Sequence, residues 1–366
     1  MGRGGARATA EAQPLPSFCA GELGSLRAEG GTPAADRASW GGSGPSDRDR
    51  HSRALEQEEH SMDPRFSRPK SGGVLEMIGN TPLLPIRKLN PNPKVELWAK
   101  VEGCNPGGSI KDRIALSMIE AAEKAGQLEP EMTILEATSG NTGIGLALVS
   151  AVKGYKLLLT MSEAVSVERR KILAAFGAEF LLTPGHLGTD GAIERAYDLA
   201  DQQPDRYLLV DQYNNPANPL AHYHGTAPEI WEQTGGRVTH FVGALGTTGT
   251  VMGCSRRLKE LNPEIRVIAV EPHLGHKIQG LKSLKEAYVP GIFDKRLVDQ
   301  KVNVADEDAF ATARLFAKAE GLLVGMSSGA AVFAALELAR SLERGLVVLI
   351  LPDFGERYLS TNLFTA

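Results

Sequence analysis

Short apolar runs alternate with longer helix-forming stretches from Val74 to the end of the chain. Eight of these runs span six to nine residues each and are rich in Val, Ile, Leu and Phe. Continuous apolar runs of this length are typical of parallel strands that are covered by helices on both faces. The pattern therefore predicts an α/β fold of parallel sheets wrapped by helices. The predicted strands are VELWAKVEG, TILEAT, KLLLTMSE, AEFLLTP, YLLVDQ, THFVGAL, RVIAVEP and LVVLILP.

Turns rich in glycine and hydroxyl residues follow several of these runs. They are TSGNTG (138–143), GTTGT (246–250) and the pair Ser327 and Ser328 in MSSGAA. A strand–turn–helix of this kind directs backbone N–H groups and hydroxyls at one point, which suits a carboxylate or a phosphate. GTTGT lacks the lysine of a Walker loop and the spacing of GxGxxG, so neither ATP nor NAD is the indicated ligand. Each turn alone could be a tight connection, but three of them together with a reactive lysine predict a cofactor site.

Lys111 is the candidate for that reactive lysine. It follows the turn NPGGS (105–109) and precedes an apolar, helix-forming run, so we expect it at the start of a helix. The positive end of the helix dipole disfavours an ammonium, which lowers the lysine pKa and makes a neutral amine available for Schiff-base chemistry. The alternative is a lysine that is solvated or paired with a neighbouring acid such as Asp112.

Composition narrows the functional class without identifying it. The chain has 366 residues, of which 42% are hydrophobic and 23% are charged, enough for two domains with substantial cores. A net charge of −4 argues against a nucleic-acid surface, and no apolar run approaches the roughly 18 residues of a membrane span. Cys19, Cys104 and Cys254 form no CxxC pair, so we expect reduced thiols and a cytoplasmic protein. His222 and His224 are two residues apart and would not share a helical face, so no metal site is expected.

Residues 1–70 differ from the rest of the chain. Gly, Ala, Arg, Ser, Pro and Glu dominate there, and Val, Ile and Phe are scarce. Such a segment cannot bury enough apolar surface to offset its ordering entropy, so we expect disorder or a mis-assigned start. Met62, just before the first motif of the folded part, is the alternative start. Nothing in the segment resembles a secretory h-region, and its acidic residues do not suit a mitochondrial presequence.

The motifs carry a resemblance to a known family. IGNTPLL, NPGGSIKDR, EATSGNTG, DQYNNPANP, GTTGT, MSSGAA and GERYLSTNLF occur in the order and spacing of the cysteine synthases. These belong to the fold-type II pyridoxal phosphate (PLP) enzymes, whose fold resembles that of the tryptophan synthase β subunit. The resemblance covers about residues 74–366, and GTTGT with EPHLGHKIQG is similar to the isozyme B branch of O-acetylserine sulfhydrylase. It implies two open, twisted, mostly parallel sheets flanked by helices.

The resemblance also implies a role for each motif. Lys111 would form the Schiff base (the internal aldimine) with PLP and remove the substrate α-proton. Asn141 would bond the 3′-oxygen of PLP, and Ser327 would face the pyridine nitrogen. A neutral hydroxyl at that nitrogen favours α,β-elimination over transamination or racemisation. The PLP phosphate would be held by Gly246, Thr247, Thr248, Gly249 and Thr250, and the substrate carboxylate by Thr138, Ser139, Gly140, Thr142 and Gln212.

The implied reaction is a PLP-dependent β-replacement by a cysteine synthase, a transferase. O-acetyl-L-serine and sulfide would give L-cysteine and acetate through a bound α-aminoacrylate, with ping-pong kinetics. Two positions leave the substrates open. Lys282 stands where thiosulfate-using isozyme B proteins have Arg, and Pro352 where they have Cys. Thiosulfate, giving S-sulfocysteine, and O-phosphoserine are therefore alternatives, and Lys282 could also be a solvated surface residue.

Two other functions are compatible with the motifs. Cystathionine β-synthase would use homocysteine as nucleophile, and a non-catalytic PLP-holding scaffold would need no nucleophile at all. The resemblance further implies a homodimer, and leaves a complex with serine acetyltransferase open. We expect one lobe over residues 71–217, with the aldimine lysine and substrate loop, and another over 218–366, with the phosphate loop. An early segment crosses between the lobes in the family, so this linear boundary is approximate.

Overall fold

Two sheets organise residues 73–165, 167–286 and 288–365, the part of the chain that the computed structural model describes. The expected extension 1–70 and the alternative start at Met62 lie outside these residues. The strands are β1 (Leu83–Pro85), β2 (Val95–Val101), β3 (Thr133–Ala137), β4 (Lys156–Ser162), β5 (Glu179–Thr183), β6 (Tyr207–Leu209), β7 (His240–Ala244), β8 (Arg266–Pro272), β9 (Gln300–Val304) and β10 (Gly345–Leu351).

Helices connect the strands and cover the sheets. None of those in the described ranges combines the length and the apolar character that crossing a bilayer requires. The α-helices are α1 (Lys111–Lys124), α2 (Asn141–Lys153), α3 (Val167–Ala175), α4 (Gly188–Gln202), α5 (Ala217–Ala221), α6 (Ala227–Gln233), α7 (Gly249–Leu261), α8 (Asp306–Glu320) and α9 (Met326–Ser341). A π-helical turn, His222–Thr226, joins α5 to α6, and a 3-10 helix, Gly355–Tyr358, follows β10.

The two sheets differ in size and in where their strands come from. The larger sheet has the order β1-β2-β10-β7-β8-β9, and only the β1–β2 pair is antiparallel. The smaller sheet has the order β5-β4-β3-β6 and is parallel throughout. The predicted α/β fold with two mostly parallel sheets is confirmed. The proposed lobe boundary at residue 217 stays approximate. The strands β1 and β2 precede this residue, but they belong to the larger sheet, whose other strands all follow it.

Burial on both faces explains the apolar strand sequences. In β10, Val347, Leu349 and Leu351 pack toward α8 and α9, while the alternate residues Leu346 and Val348 pack toward α6 and α7. The smaller sheet is covered by α1, α2 and α3 on one face and by α4 on the other. Because successive side chains of a strand point to opposite faces, a strand covered on both sides needs apolar residues at every position.

A buried group of charges anchors α1, the helix that begins at Lys111. This Arg113 cluster consists of Lys100, Glu102, Arg113 and Glu229. Arg113 Nε lies 2.6 Å from Glu102 Oε2, and its Nη1 lies 2.7 Å from Glu229 Oε1. Lys100 Nζ lies 2.7 Å from Glu229 Oε2. Burial alone would raise the pKa of Glu229, but hydrogen bonds and charge from Arg113 and Lys100 lower it to about 2. The cluster thus ties α1 to β2 and α6.

Replacing Arg113 tests the importance of this cluster. In Arg113→Ala, Glu102 would remain fully buried without its guanidinium. Removing one partner of a buried ion pair typically costs about 3–5 kcal/mol, and we expect a loss of that order in the free energy of unfolding, measured by urea titration. Arg237→Ala is the control, because Arg237 pairs with Glu96 at the surface and should leave the urea midpoint nearly unchanged. Equal midpoints for the two variants would contradict the anchoring role.

Candidate active site

Lys111 is the first residue of α1, as the glycine-rich turn predicts. The backbone N–H of Gly107 donates to Asp112 Oδ2 at 2.6 Å, and the N–H of Ile110 donates to the carbonyl of Pro352 at 2.9 Å. Gly108 has φ +80°, a conformation that glycine adopts without strain. The turn therefore fixes Lys111 between the two sheets, and Asp112, its candidate partner from the sequence, is engaged by the turn.

The amine of Lys111 has a lowered pKa. Burial lowers it from 10.5 to about 8, and the negative charge of Asp353 acts in the opposite direction. The sequence argument placed the cause of this shift in the helix dipole, whereas in the structure the largest cause is burial. Near neutral pH a much larger share of the amine is then neutral than for a solvated lysine, and a neutral amine is the nucleophile that a carbonyl requires.

Two adjoining cavities meet at Lys111 and Asn141. The inner cavity is also lined by Ser327, Tyr358 and most of the GTTGT loop. The outer cavity is lined by the TSGNT segment, 138–142, and by Gln212. Almost every residue that the sequence nominated therefore lies around one space. Gly249 lines neither cavity, and it packs against Asn218, so that a Cβ atom there would collide with Asn218 Oδ1.

The GTTGT loop has the properties of a phosphate site. It connects β7 to the N-terminus of α7, where backbone N–H groups are free to bind an anion. Thr248 has φ +71°, and its hydroxyl oxygen is buried without a hydrogen-bond partner in the described structure. Thr247 Oγ1 accepts a hydrogen bond from Asn218 Nδ2 at 3.0 Å, so its own proton is available to a ligand. Unsatisfied buried polar atoms indicate a missing partner, and the phosphate of PLP fits that requirement.

Besides the GTTGT loop, the lining of the inner cavity includes the hydroxyl residue Ser327 and the amide residue Asn141. Ser327 is the second residue of α9 and lines the cavity. Ser328 Oγ instead donates to the backbone carbonyl of Asp353 at 3.3 Å, so Ser327 is the serine that can meet a ring. Asn141 is the first residue of α2 and lines both cavities. The residues present therefore fit the phosphate, ring nitrogen and ring oxygen of PLP.

A chain of hydrogen bonds supports the outer cavity. Thr142 Oγ1 donates to Gln212 Oε1 at 2.7 Å, and Gln212 Nε2 donates to Glu136 Oε1 at 3.2 Å. Burial raises the pKa of Glu136 to about 8, although Gln212 bonds to its carboxyl group. This chain joins β3 to the TSGNT segment. It holds Gln212 beside the N-terminus of α2, where a carboxylate would find N–H donors.

Some residues of the site were not nominated from the sequence. Tyr358 lines both cavities, and Tyr213, Thr189 and Gly280 line one or both. Tyr213 follows Gln212 in DQYNNP and Tyr358 lies in GERYLST, so the motifs contained a signal for these two. Gly280 is the last residue of EPHLGHKIQG, and only Thr189 lies outside the quoted motifs. Tyr358 donates from its hydroxyl to Asp353 Oδ2 at 2.5 Å, which brings the end of the chain into the site.

The chain is similar in sequence and in fold to known cysteine synthases. A cysteine synthase from Aquifex aeolicus is 49% identical over 300 residues, covering 80% of this chain and 92% of the relative. Cysteine synthase B from Escherichia coli is 46% identical over 289 residues, covering 79% and 95%. The crystal structure of a cysteine synthase from Entamoeba histolytica superposes with a TM-score of 0.78 at 40% identity, covering 83% of this chain and 95% of that one.

The family comparison covers most of the described chain. The profile described as "Pyridoxal-phosphate dependent enzyme" matches residues 74–353, which include Lys111, the TSGNT segment, the GTTGT loop and Ser327. The cofactor that the cavities fit is therefore also the cofactor of the matching family. The chain belongs to the pyridoxal-phosphate dependent enzymes.

Proposed function

We propose that this chain is a cysteine synthase, an O-acetylserine sulfhydrylase that replaces the acetate of O-acetyl-L-serine by a sulfur nucleophile. One observation carries the proposal: Lys111, with its lowered pKa, lies where the inner cavity with the GTTGT loop meets the outer cavity with the TSGNT segment. The names of the relatives, cysteine synthase and cysteine synthase B, support the choice of reaction.

Cofactor binding would use groups that the inner cavity presents. The GTTGT loop would hold the phosphate through its N–H groups and the hydroxyls of Thr247, Thr248 and Thr250. Asn141 would bond the ring oxygen, and Ser327 would face the ring nitrogen. When bound, PLP withdraws electrons from the substrate α-carbon, which makes α-proton removal and loss of a β-substituent possible. Ser327 offers a neutral hydroxyl where a carboxylate would stabilise a protonated ring, and this favours elimination over transamination.

Proton transfer is assigned to Lys111. Its Nζ would accept the substrate α-proton as acetate leaves, and would return a proton to the α-carbon after the sulfur nucleophile has added. A base is most effective when its pKa is close to the working pH, and burial brings the pKa of Lys111 to about 8. Because acetate would leave before the sulfur nucleophile adds, the two half-reactions predict ping-pong kinetics.

Substrate orientation is assigned to the outer cavity. Thr138, Ser139, Gly140 and Thr142 would bind the amino-acid carboxylate together with Gln212, whose amide is held by Glu136. Binding at the N-terminus of α2 would draw the smaller sheet toward the larger one and exclude water from the reacting atoms. A carboxylate anchored there would present the substrate's Cα and Cβ to Lys111.

Lys282 is the residue that we propose as a determinant of the sulfur donor or leaving group. Its side chain lines the outer cavity and is only 12% exposed, so it is not a freely solvated lysine. Its Nζ lies 2.8 Å from Glu286 Oε2. A cation here suits thiosulfate or the phosphate of O-phosphoserine, and the pairing with Glu286 reduces that preference. Homocysteine, the nucleophile of cystathionine β-synthase, has no corresponding anion in its side chain.

We further propose a cytoplasmic homodimer. Support for the location comes from three cysteines without a CxxC pair. Support for the dimer comes from the family resemblance. Binding of serine acetyltransferase is left open by the same resemblance.

The reaction can be tested with cofactor-loaded protein. O-acetylserine should shift the visible absorbance of the bound cofactor, and sulfide should restore it with release of cysteine. Lys111→Ala should make cysteine at less than about a thousandth of the parent rate, within the 10² to 10⁴ that loss of a general base costs. Lys124→Ala, an exposed lysine on the same helix, is the control and should retain the parent rate. Restoration by homocysteine but not by sulfide would replace the proposal by cystathionine β-synthase, and no response to O-acetylserine would remove it.

The pKa of Lys111 predicts how cofactor capture depends on pH. Only the neutral amine attacks the aldehyde of PLP, so the capture rate of the apoprotein should rise with pH around 8. The measurement is stopped-flow absorbance between pH 6 and 10.5, with a free lysine side-chain amine as reference for the titration of PLP itself. The reference should continue to rise toward its own pKa of about 10.5. If protein and reference rise together, Lys111 is not desolvated in the apoprotein.

Substitution of Lys282 separates the candidate substrates. In Lys282→Ala the KM for thiosulfate or O-phosphoserine should rise about 10-fold, the usual effect of losing a charge-assisted hydrogen bond. The KM for O-acetylserine should change little, because its acetyl group is neutral. Lys285→Ala, an exposed lysine of the same segment, is the control. Unchanged KM values for both anions would show that Lys282 does not select the substrate.

A further inference from the structure

Arg357 forms a hydrogen bond with the side chain of Asn141. This arginine lies in the 3-10 helix after β10, and no part of it lines either cavity. Its Nη1 donates to Asn141 Oδ1 at 2.6 Å, and its Nη2 donates to the carbonyl of Gly107 in the turn before Lys111. The planar guanidinium thus links two parts of the site that are far apart in sequence.

Asp353 binds the other end of the same amide. Asn141 Nδ2 donates to Asp353 Oδ2 at 2.6 Å, and this oxygen also accepts from the Tyr358 hydroxyl at 2.5 Å. A guanidinium can only donate hydrogen bonds, and an ionised carboxylate can only accept them. Turning the amide over would direct its N–H groups at Arg357 and its carbonyl at Asp353, and both bonds would be lost. The two charges therefore permit one orientation of Asn141.

Glycine in the NPGGS turn makes room for this arrangement. A Cβ atom on Gly108 would collide with Nη2 of Arg357. Gly108 also has φ +80°, so the position favours glycine for its backbone as well. Gly108 thus allows an arginine from the other end of the described chain to approach the turn, whereas a Cβ atom on Gly107 would collide with Asp112.

We propose that Arg357 is a positioning residue that acts through Asn141. Arg357 occupies Oδ1 of Asn141, and Asp353 accepts one of the two N–H groups of Nδ2. The second N–H, and not a carbonyl, is therefore the group that Asn141 offers to a ligand in the cavities. A donor is what the ring oxygen of PLP requires. The inference rests on the proposed cofactor-binding role of Asn141, and it assigns the arginine of GERYLST to the affinity and electronic state of the cofactor.

A simpler role for Arg357 is to fasten the Gly107 carbonyl and thereby the Lys111 turn. The two roles predict different behaviour when Asn141 is absent. If Arg357 acts through Asn141, its removal should have no further effect in a protein that already lacks the amide. If it acts through Gly107, its removal should have the same effect with or without the amide. A double-mutant cycle distinguishes these cases.

The experiment measures cofactor binding without any amino-acid substrate. Apoproteins of the parent, Arg357→Ala, Asn141→Ala and the double variant are titrated with PLP, and the dissociation constant and the absorbance maximum are recorded. We expect Arg357→Ala and Asn141→Ala each to weaken binding about 10-fold and to displace the maximum in the same direction. The double variant should be within about 2-fold of Asn141→Ala. Effects that multiply in the double variant would overturn the proposal.

Two further variants guard against a purely structural explanation. Arg357→Lys keeps the charge but lacks the fork that reaches both Asn141 and Gly107, and should bind PLP with intermediate affinity. It also serves if Arg357→Ala does not fold. Arg314→Ala is the matched control, because Arg314 Nη1 donates to the backbone carbonyl of Leu363 at 2.7 Å without contacting Asn141. The control should keep the parent affinity and absorbance, and a change equal to that of Arg357→Ala would overturn the proposal.

The outcome is independent of which reaction the enzyme performs. A parent protein that binds PLP but makes no cysteine would refute the proposed function. The double-mutant cycle could still be interpreted, because it measures only PLP binding. An Asn141→Ala variant that binds PLP like the parent would refute the cofactor role of Asn141, and this inference with it.

Discussion

Partial shielding of the Lys111 amine from water is the constraint on which the site depends. Burial lowers its pKa to about 8 against the attraction of Asp353. At neutral pH this increases the neutral fraction of the amine by roughly a hundredfold or more relative to an ordinary lysine. A solvated lysine would be an ammonium under the same conditions, unable to attack an aldehyde or accept a proton. The surroundings of the cavities therefore make the Lys111 amine more reactive, in addition to providing space for a ligand.

Contacts on both sides of Lys111 keep the lysine in place. Arg113, two residues further along, is bonded to Glu102 and Glu229, and this pairing fixes the helix against the larger sheet. On the other side the NPGGS turn is fixed by Asp112, by the Pro352 carbonyl and by Arg357. These contacts determine the position of Lys111. The Arg113 cluster and the NPGGS turn thus both contribute to the position of Lys111.

Parallel strands explain why separate motifs converge. The turns after β3 and β7 leave the carboxyl ends of strands in two different sheets, and both face the gap that α1 enters. Ligands of open α/β sheets bind at such ends. In the proposed function, the GTTGT loop would hold the phosphate of PLP, while the TSGNT segment would bind the amino acid. Residues that follow strands of both sheets thus line the site.

The sequence predicts the local parts of this arrangement better than the distant ones. The glycine-rich turns, the apolar strands and the start of α1 at Lys111 follow from local patterns, and the structure has them where expected. Gly249 belongs to the GTTGT motif, but it packs against Asn218. A motif alone does not show which of its residues line a cavity. The pairing of β2 with β10, and the contacts of Asp353, Arg357 and Tyr358 with the site, join residues some 200 or more positions apart. Such contacts depend on how the sheets assemble, and a motif such as GERYLST does not show which distant residues its side chains contact.

The most direct test of the account is to fix the cofactor to the protein and locate it. Borohydride reduction of the PLP-loaded protein, followed by peptide mass mapping, identifies the amine that carries the cofactor. The account predicts a single modified peptide that contains Lys111, and no modification in Lys111→Ala. Attachment at another lysine, such as Lys282 in the outer cavity, or no attachment at all, would contradict it.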